Sequence, residues 1–429
     1  MKKTITFIFS LILLSLLSCS RDSQKDYIEY WCASNTFELE FAKYVVDLWN
    51  SDSTHRHIKL QPIPEGQSSE EMLLAAIVGK TTPDIYSNTW PGVIEQYREA
   101  NVIINFNQFL DFPDYMAARI PENLDKQFMS SDSQFYQFPW KGNPLLLAYN
   151  KKILVEKLNS LPPETYADLE KIGQKIIDYN NNNNNIKPIW MMDPNISPIW
   201  WQRLFDFYPF YVSAAHGNTF ISPNKQVLLN ESPAKTVFSL FRENYANGLL
   251  PISMFKEDIF LQERLVFHIT GPWSIAHYKK FAQPDFEWGY TGIPSVEKDM
   301  LPYTYGDAKN IIIFKDTDYP DESWEFVKFM TSKEADLKFM EITQQLPLRK
   351  HLLSDPIYSE FFINNPELII FAEHIPYIVG LDQSLYLQEI FDMISKSWDA
   401  IVIYRAKDLE QGLNDLNSQV QNQVDREYQ

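Results

Sequence analysis

Cysteine is nearly absent from this chain, two among 429 residues. No disulfide framework can brace the fold, so its stability has to come from a sizeable apolar core. Basic residues are scarce as well, 38 against 56 acidic ones, for a formal charge of -18. A surface of that sign repels anionic lipid and lacks the cationic patch that displaces phosphate counterions, which excludes a nucleic-acid partner. Glycine is sparse at 13. No G-x-S-x-G elbow, phosphate-binding loop or dinucleotide fingerprint occurs, so the chemistries those motifs serve have no foothold and no cofactor is expected. His55 and His57 flank Arg56 without a carboxylate or third ligand at zinc spacing, and no metal site is expected either. Internal repeats and a second membrane span are also missing.

What is present begins at the amino terminus. Lys2 and Lys3 precede an apolar run from Ile5 to Leu17, and Leu16-Leu17-Ser18-Cys19 ends it. A cationic start, a short hydrophobic stretch and a small residue at the cut make a secretory signal, too short to span a bilayer as a finished helix. A cysteine directly after the small residue resembles a bacterial lipobox, in which the thiol is acylated and the chain is cut before it. Residues 1–18 are then the leader, Cys19 the lipid attachment and residues 19–26 a polar tether. An ordinary secretory cut near Ser18 or Ser20 is the alternative. Several acyl chains anchor stably where one is marginal, so the working part is expected outside the cytoplasm, held to the cell membrane by lipid alone. Losing Lys2 and Lys3 moves the balance from -18 to -20, 36 basic against 56 acidic.

The remainder is too long for one compact core and comfortable for two. Tyr27 to Ala33 reads as a strand. Asn35-Thr36-Phe37-Glu38 then opens a capped helix whose buried face is expected to carry Phe37, Phe41, Val45, Leu48 and Trp49. Further strands are expected at Ile58 to Pro62, Asp84 to Ser87, Leu145 to Tyr149, Ile186 to Met192 and Ile311 to Phe314. Between them lie helices after Ser68, at Pro91, from Thr165 to Tyr179 and from Pro320 past Phe329. Asn180 to Asn185 reads as a surface loop, and the tail from Ser384 to Gln423 as mostly helical. Strands alternating with helices of this length imply α/β layers with a parallel sheet.

Several segments in order resemble the bacterial extracellular solute-binding proteins of family 1, the group that includes maltose-binding protein. Gly79-Lys80-Thr81-Thr82-Pro83-Asp84-Ile85 is similar to that family's turn into a strand. Phe138-Pro139 and Leu147-Ala148-Tyr149-Asn150-Lys151-Lys152 resemble its crossing between lobes, and Leu161 to Tyr166 the start of the next helix. Gly271-Pro272-Trp273, Ser323 to Phe329 and Leu346-Pro347-Leu348-Arg349 match later motifs. The chain departs from the pattern at Tyr305-Gly306-Asp307-Ala308 and at Gln262 to Val266, so ligand identity is not carried over.

The resemblance implies a fold of the type II periplasmic-binding-protein kind: two α/β lobes joined by a multi-crossing hinge, with the ligand cleft between them. The motifs place one lobe at 27–141 plus 303–344 and the other at 145–300 plus 347–429. It also implies a monomeric, non-enzymatic subunit that catches a sugar or oligosaccharide by hinge closure and passes it to permease subunits of an ABC transporter.

Trp273 is the leading candidate ligand contact, since the resemblance places that tryptophan against a pyranose face; a core tryptophan closing a turn is the alternative. Trp90 and Asn88 share a strand-to-helix corner with Thr89, where the polar pair either bonds hydroxyls or caps the helix. Asn35 occupies an equivalent corner, with pure capping as the other role. Asn143, beside Trp140, lies at the first crossing. Trp200 and Trp201 offer a second stacking platform, one of the two packing inward. Asp307 could fix ligand orientation by accepting hydroxyl protons, or be a solvated or capping aspartate. A polyamine would instead require several carboxylates around the rings, of which Asp307 and Asp193 are the candidates. A surface glycan hydrolase would require two carboxylates facing across the cleft.

Overall fold

The computed structural model describes residues 25–63, 67–122, 124–183, 187–194 and 196–427. The leader, Cys19 and most of the tether lie outside these residues. β1 (Ile28–Ala33) is flanked by β2 (Ile58–Ile63) and β3 (Ile85–Thr89), all parallel. It is buried along nearly its whole length, as expected of a central strand covered on both faces. β9 (Lys309–Ile313) pairs antiparallel with β3 and with β4 (Phe138–Lys141), giving the order β2-β1-β3-β9-β4. The sheet is therefore mixed, where a parallel one was expected. Only β9 is reversed, because it carries the chain back from the second lobe while the other four strands run toward the crossing.

The second lobe is built on β5 (Leu146–Asn150), paired antiparallel with β6 (Phe267–Thr270) and β7 (Trp288–Thr291). Between the lobes three segments lie side by side. Lys141 bridges Pro347 and Pro144 bridges Gly306. The Gly142 amide donates to the Leu346 carbonyl at 3.1 Å, and the Leu348 amide to the Trp140 carbonyl at 2.7 Å. β8 (Thr304–Tyr305) is joined by β10 (Ile378–Val379). Gly306 is needed at this contact, because a Cβ there would stand 2.9 Å from the Ile378 Cβ.

Local expectations and structure part company in three places. On the helix Thr36–Asn50 the buried positions are Glu38, Phe41, Ala42, Val45, Val46 and Trp49; Phe37 and Leu48 stand 46% and 48% exposed. The helix is turned so that a carboxylate, not Phe37, points inward. The first asparagines of the 180–185 run are helical, ending Tyr166–Asn182. Among the described residues 187–192 no strand forms beyond an isolated Trp190–Leu265 bridge. Here Asn180 substitutes for a strand neighbour: its Nδ2 donates to the Ile189 carbonyl at 2.9 Å and its Oδ1 accepts from the Ile189 amide at 3.1 Å.

The chain beyond Pro347 was expected in the second lobe. Its first part packs instead on the first. Arg349 joins Arg119 in clamping Asp336, which is fully buried, and Arg349 also donates to the Thr331 carbonyl at 2.7 Å. Tyr358, Phe361 and Phe362 enter the first lobe's core. Only later do the helices Leu387–Trp398 and Leu409–Glu427 join the second lobe's core. Cys32 is buried and free, its thiol pushed by burial up to about 12.

Asp336 is the single carboxylate between two buried guanidinium groups, and removing one partner of a buried ion pair costs about 3–5 kcal/mol. Asp336→Ala is expected to lower stability by that amount in urea denaturation, whereas Asp415→Ala, at an exposed ion pair, should cost under about 1 kcal/mol.

Candidate ligand-binding cleft

The first lobe's wall is made at strand ends. β3 closes with a bulge opposite β9, between Ser87 and Thr89. The bulged residue Asn88 sits at φ 80°, in the left-handed region that asparagine tolerates better than most side chains. This aims its amide at the last residue of β4, and Lys141 Nζ donates to Asn88 Oδ1 at 2.8 Å. The same buried ammonium donates to Glu38 Oε1 at 2.7 Å. Gln345 Nε2 donates to that carboxylate as well, at 2.9 Å. Burial pushes the Glu38 carboxyl upward, but the Lys141 charge and the bonds from Lys141, Gln345 and Asn35 outweigh it and hold the group below its ordinary value of 4.5. Nearby, Lys309 Nζ pairs with Asp307 Oδ1 at 2.9 Å.

The second wall is aromatic. The Trp273 ring folds over Gly271, where a Cβ would stand 2.2 Å from the ring, so only glycine allows this placement. Trp273 begins the helix Trp273–Phe281, whose far end presents Phe281, 56% exposed. The two walls enclose a cavity of 510 Å³ lined by Asn35, Phe37, Glu38, Asn88, Lys141 and Asp307 on one side and by Trp273, His277, Lys280 and Phe281 on the other. A second cavity of 290 Å³ shares Trp273 with the first and is otherwise lined by second-lobe residues, Asp193, Trp201, Gln202, Phe205, Asp206 and His268 among them. Burial pushes the Asp193 carboxyl up, with His268 opposing. Burial likewise takes the Asp206 carboxyl to about 6 against the pull of Arg203.

Of the expected residues, Trp273, Asn88, Asn35 and Asp307 come together at the larger cavity, and Trp201 lines the smaller one. Asn35 also caps its helix, its Oδ1 accepting from the Glu38 amide at 2.9 Å. Trp90 does not reach either cavity: its ring folds over Gly92 and is covered by Trp200, the ring centroids 4.7 Å apart. Asn143 is buried in the hinge, its Nδ2 donating to Gln345 Oε1 at 2.9 Å and its carbonyl accepting from the Asp307 amide at 2.9 Å. Sequence reasoning missed Phe37, Glu38, Lys141 and Phe281. The signal for the first two was misread: an acidic residue in the first helical turn looked like capping, and Phe37 looked like core.

Two α/β lobes joined by several adjacent crossings, with a cleft between polar and aromatic walls, define a solute-binding protein of the type II periplasmic kind. The chain belongs to the bacterial extracellular solute-binding protein family, whose sequence profile matches residues 47–368. It is 25% identical over 323 residues to the maltotriose-binding protein of Pyrococcus abyssi, covering 74% of this chain and 62% of that one. The match thus spans less than two thirds of the curated relative. Among solved structures, the cyclic alpha-maltosyl-1,6-maltose binding protein of Arthrobacter globiformis superposes with a TM-score of 0.79 at 16% identity, over 93% of this chain and 99% of that one. The sugar-binding protein MalE of Xanthomonas citri gives 0.77 at 17% identity, over 93% and 98%. At such identities the superpositions speak for the fold.

A depressed carboxyl contributes stability that is complete above its unfolded value and fades as pH falls through the folded one. In Lys141→Met that contribution is lost and burial drives Glu38 upward. The variant is expected to be destabilised by about 3–5 kcal/mol at pH 7 and by clearly less at pH 5, where Glu38 takes up a proton. Urea midpoints at the two pH values measure this, and equal losses at both would remove the ion pair as the cause.

Proposed function

We propose that this chain is a lipid-anchored extracytoplasmic solute-binding protein that captures a sugar or oligosaccharide between its lobes by hinge closure and delivers it to the permease subunits of an ABC transporter, acting as a monomer and catalysing nothing. The observation that carries this reading is that Trp273 lines two cavities, one of them walled by fixed polar groups of the other lobe. A ring shared in this way offers a flat apolar face to sugar C–H groups, while amide, ammonium and carboxylate groups offer partners to hydroxyls. Phe37 and Phe281 stand exposed on opposite walls of the larger cavity. A ligand stabilises a closed state only by touching both lobes, and burying these rings would add to that preference.

The sequence relative named for maltotriose supports a saccharide over other solutes. An affinity near 1 μM would require about 8 kcal/mol net, within reach of a few aromatic contacts of about 1.5–3 kcal/mol each plus several hydroxyl bonds. A glycoside hydrolase needs two carboxyls facing across the scissile bond. In the larger cavity Glu38 is held low by Lys141 and Asp307 is paired with Lys309. The raised carboxyls of the smaller cavity, Asp193 and Asp206, both belong to the second lobe, Asp206 paired with Arg203. The lobes are taken as 27–141 with 303–344 and as 145–300 with the tail, amended so that the segment following Pro347 travels with the first lobe through Arg349 and Tyr358.

Thermal unfolding of the purified protein with maltotriose, longer maltodextrins and spermidine tests the ligand class. A saccharide at 100 times its dissociation constant adds about 2.7 kcal/mol, and Trp273→Ala should abolish that shift. A midpoint raised by spermidine alone would refute the sugar reading. The anchor is tested separately: Cys19→Ser should release the protein from the membrane fraction and end incorporation of labelled palmitate.

A further inference from the structure

The chain carries 38 basic and 56 acidic side chains, yet the larger cavity is lined by three lysines, Lys141, Lys280 and Lys309, against two carboxylates, Glu38 and Asp307. Two of those lysines are already matched. Lys141 stands 2.7 Å from Glu38, and Lys309 stands 2.9 Å from Asp307 with Glu70 also in its field. Lys280 is different. Among the described residues no carboxylate lies within 4.0 Å of its ammonium. Its neighbour Lys279, on the same last turn of the helix, is paired with Glu367 at 3.4 Å, and His277 Nε2 lies 3.0 Å from Asp258 Oδ2. Lys280 Nζ lies 5.1 Å from the centroid of the Phe281 ring, on the wall that also holds Trp273. Two carboxylates, Asp193 and Asp206, line the smaller cavity, which shares Trp273; Asp206 is paired with Arg203 at 3.0 Å.

We propose that the ligand is an acidic saccharide, whose carboxylate or sulfate is bound by Lys280 while Trp273 and Phe281 cover the apolar faces of its rings. This rests on the saccharide-binding reading and narrows it. A neutral sugar would leave the ammonium partly desolvated on closure with nothing to offset it, whereas an anionic substituent supplies the missing partner in a charge-assisted bond. Asp193 in the adjoining cavity disfavours a second anionic substituent there, so the charged ring sits beside Lys280 and a hydroxyl-rich ring beside Asp193. Because the attraction is local and part-exposed, it weakens as salt rises.

Calorimetric titration of the full chain with tetragalacturonate, a sulfated tetrasaccharide and maltotetraose, each at 50 and 300 mM NaCl, tests this. At least one anionic saccharide is expected to bind ten-fold or more tightly than maltotetraose at low salt and to lose several-fold in affinity at high salt. Which anion binds tells carboxylate from sulfate. Lys280→Gln, at an exposed helix end, should fold normally, lower that affinity at least ten-fold and remove its salt dependence, while Lys280→Arg should retain both. Maltotetraose binding at least as tightly as both anionic probes, or Lys280→Gln leaving anionic binding unchanged, overturns the assignment and leaves the saccharide reading standing. If no saccharide binds while spermidine does, both fall together.

Discussion

A buried ammonium must be matched, and in this protein the match organises everything around it. Lys141 is almost fully buried at the end of β4, one residue before the first crossing. Left unpaired it would cost several kcal/mol. Glu38 and Asn88 answer it from two different strand-to-helix corners. Each answer has a consequence: turning Glu38 inward turns Phe37 out into the cleft, and reaching Lys141 holds Asn88 at a left-handed bulge. Gln345 extends the network to the third crossing, bonding both Glu38 and Asn143. The wall of the cleft and the hinge beneath it are therefore one hydrogen-bonded assembly, so a change in the hinge strands cannot leave the polar wall untouched.

The opposite wall works by other means. Its groups are rings, placed by shape: Gly271 makes room for Trp273 as Gly92 does for Trp90. The outcome differs because Trp90 is then covered by Trp200, while Trp273 stays open to two cavities that it lines. Charged and amide groups held at fixed distances are directional and select an orientation, whereas apolar faces supply area without much angular demand. A cleft with one wall of each kind can orient a ligand from the first lobe and hold it from the second.

How far these features could be read from residues alone depends on the range of the interactions. Local signals were legible: the Asn35 and Thr165 caps, β1, β5, β9 and the helices Tyr166–Asn182 and Pro320–Met330 lie where spacing and capping put them, within a residue or two at most ends. The Gly271-Pro272-Trp273 motif directed attention to a tryptophan that does stand at both cavities. What failed was long-range. Glu38 and Lys141 are 103 positions apart, and neither signals its partner, so an inward carboxylate at a helix start was read as a cap and its exposed neighbour as core. Arg349 and Asp336 similarly draw the chain after Pro347 onto the first lobe against the motif-based boundary. Trp90 lay at the right corner, but only its distant neighbour Trp200 decides that its ring is covered.

The same distinction of range governs charge. A formal -18 describes the outer surface, and at physiological ionic strength a charge is largely screened beyond about 8 Å. The expectation against nucleic acid rests on that surface, because a polyanion must lie along many surface positions at once. A small ligand in a cleft meets only the groups within one screening length. There the carboxylates of Glu38 and Asp307 are each answered by a lysine at hydrogen-bond distance, while among the described residues no carboxylate lies within 4.0 Å of the Lys280 ammonium. A net-acidic chain and an anion-accepting cleft are therefore compatible.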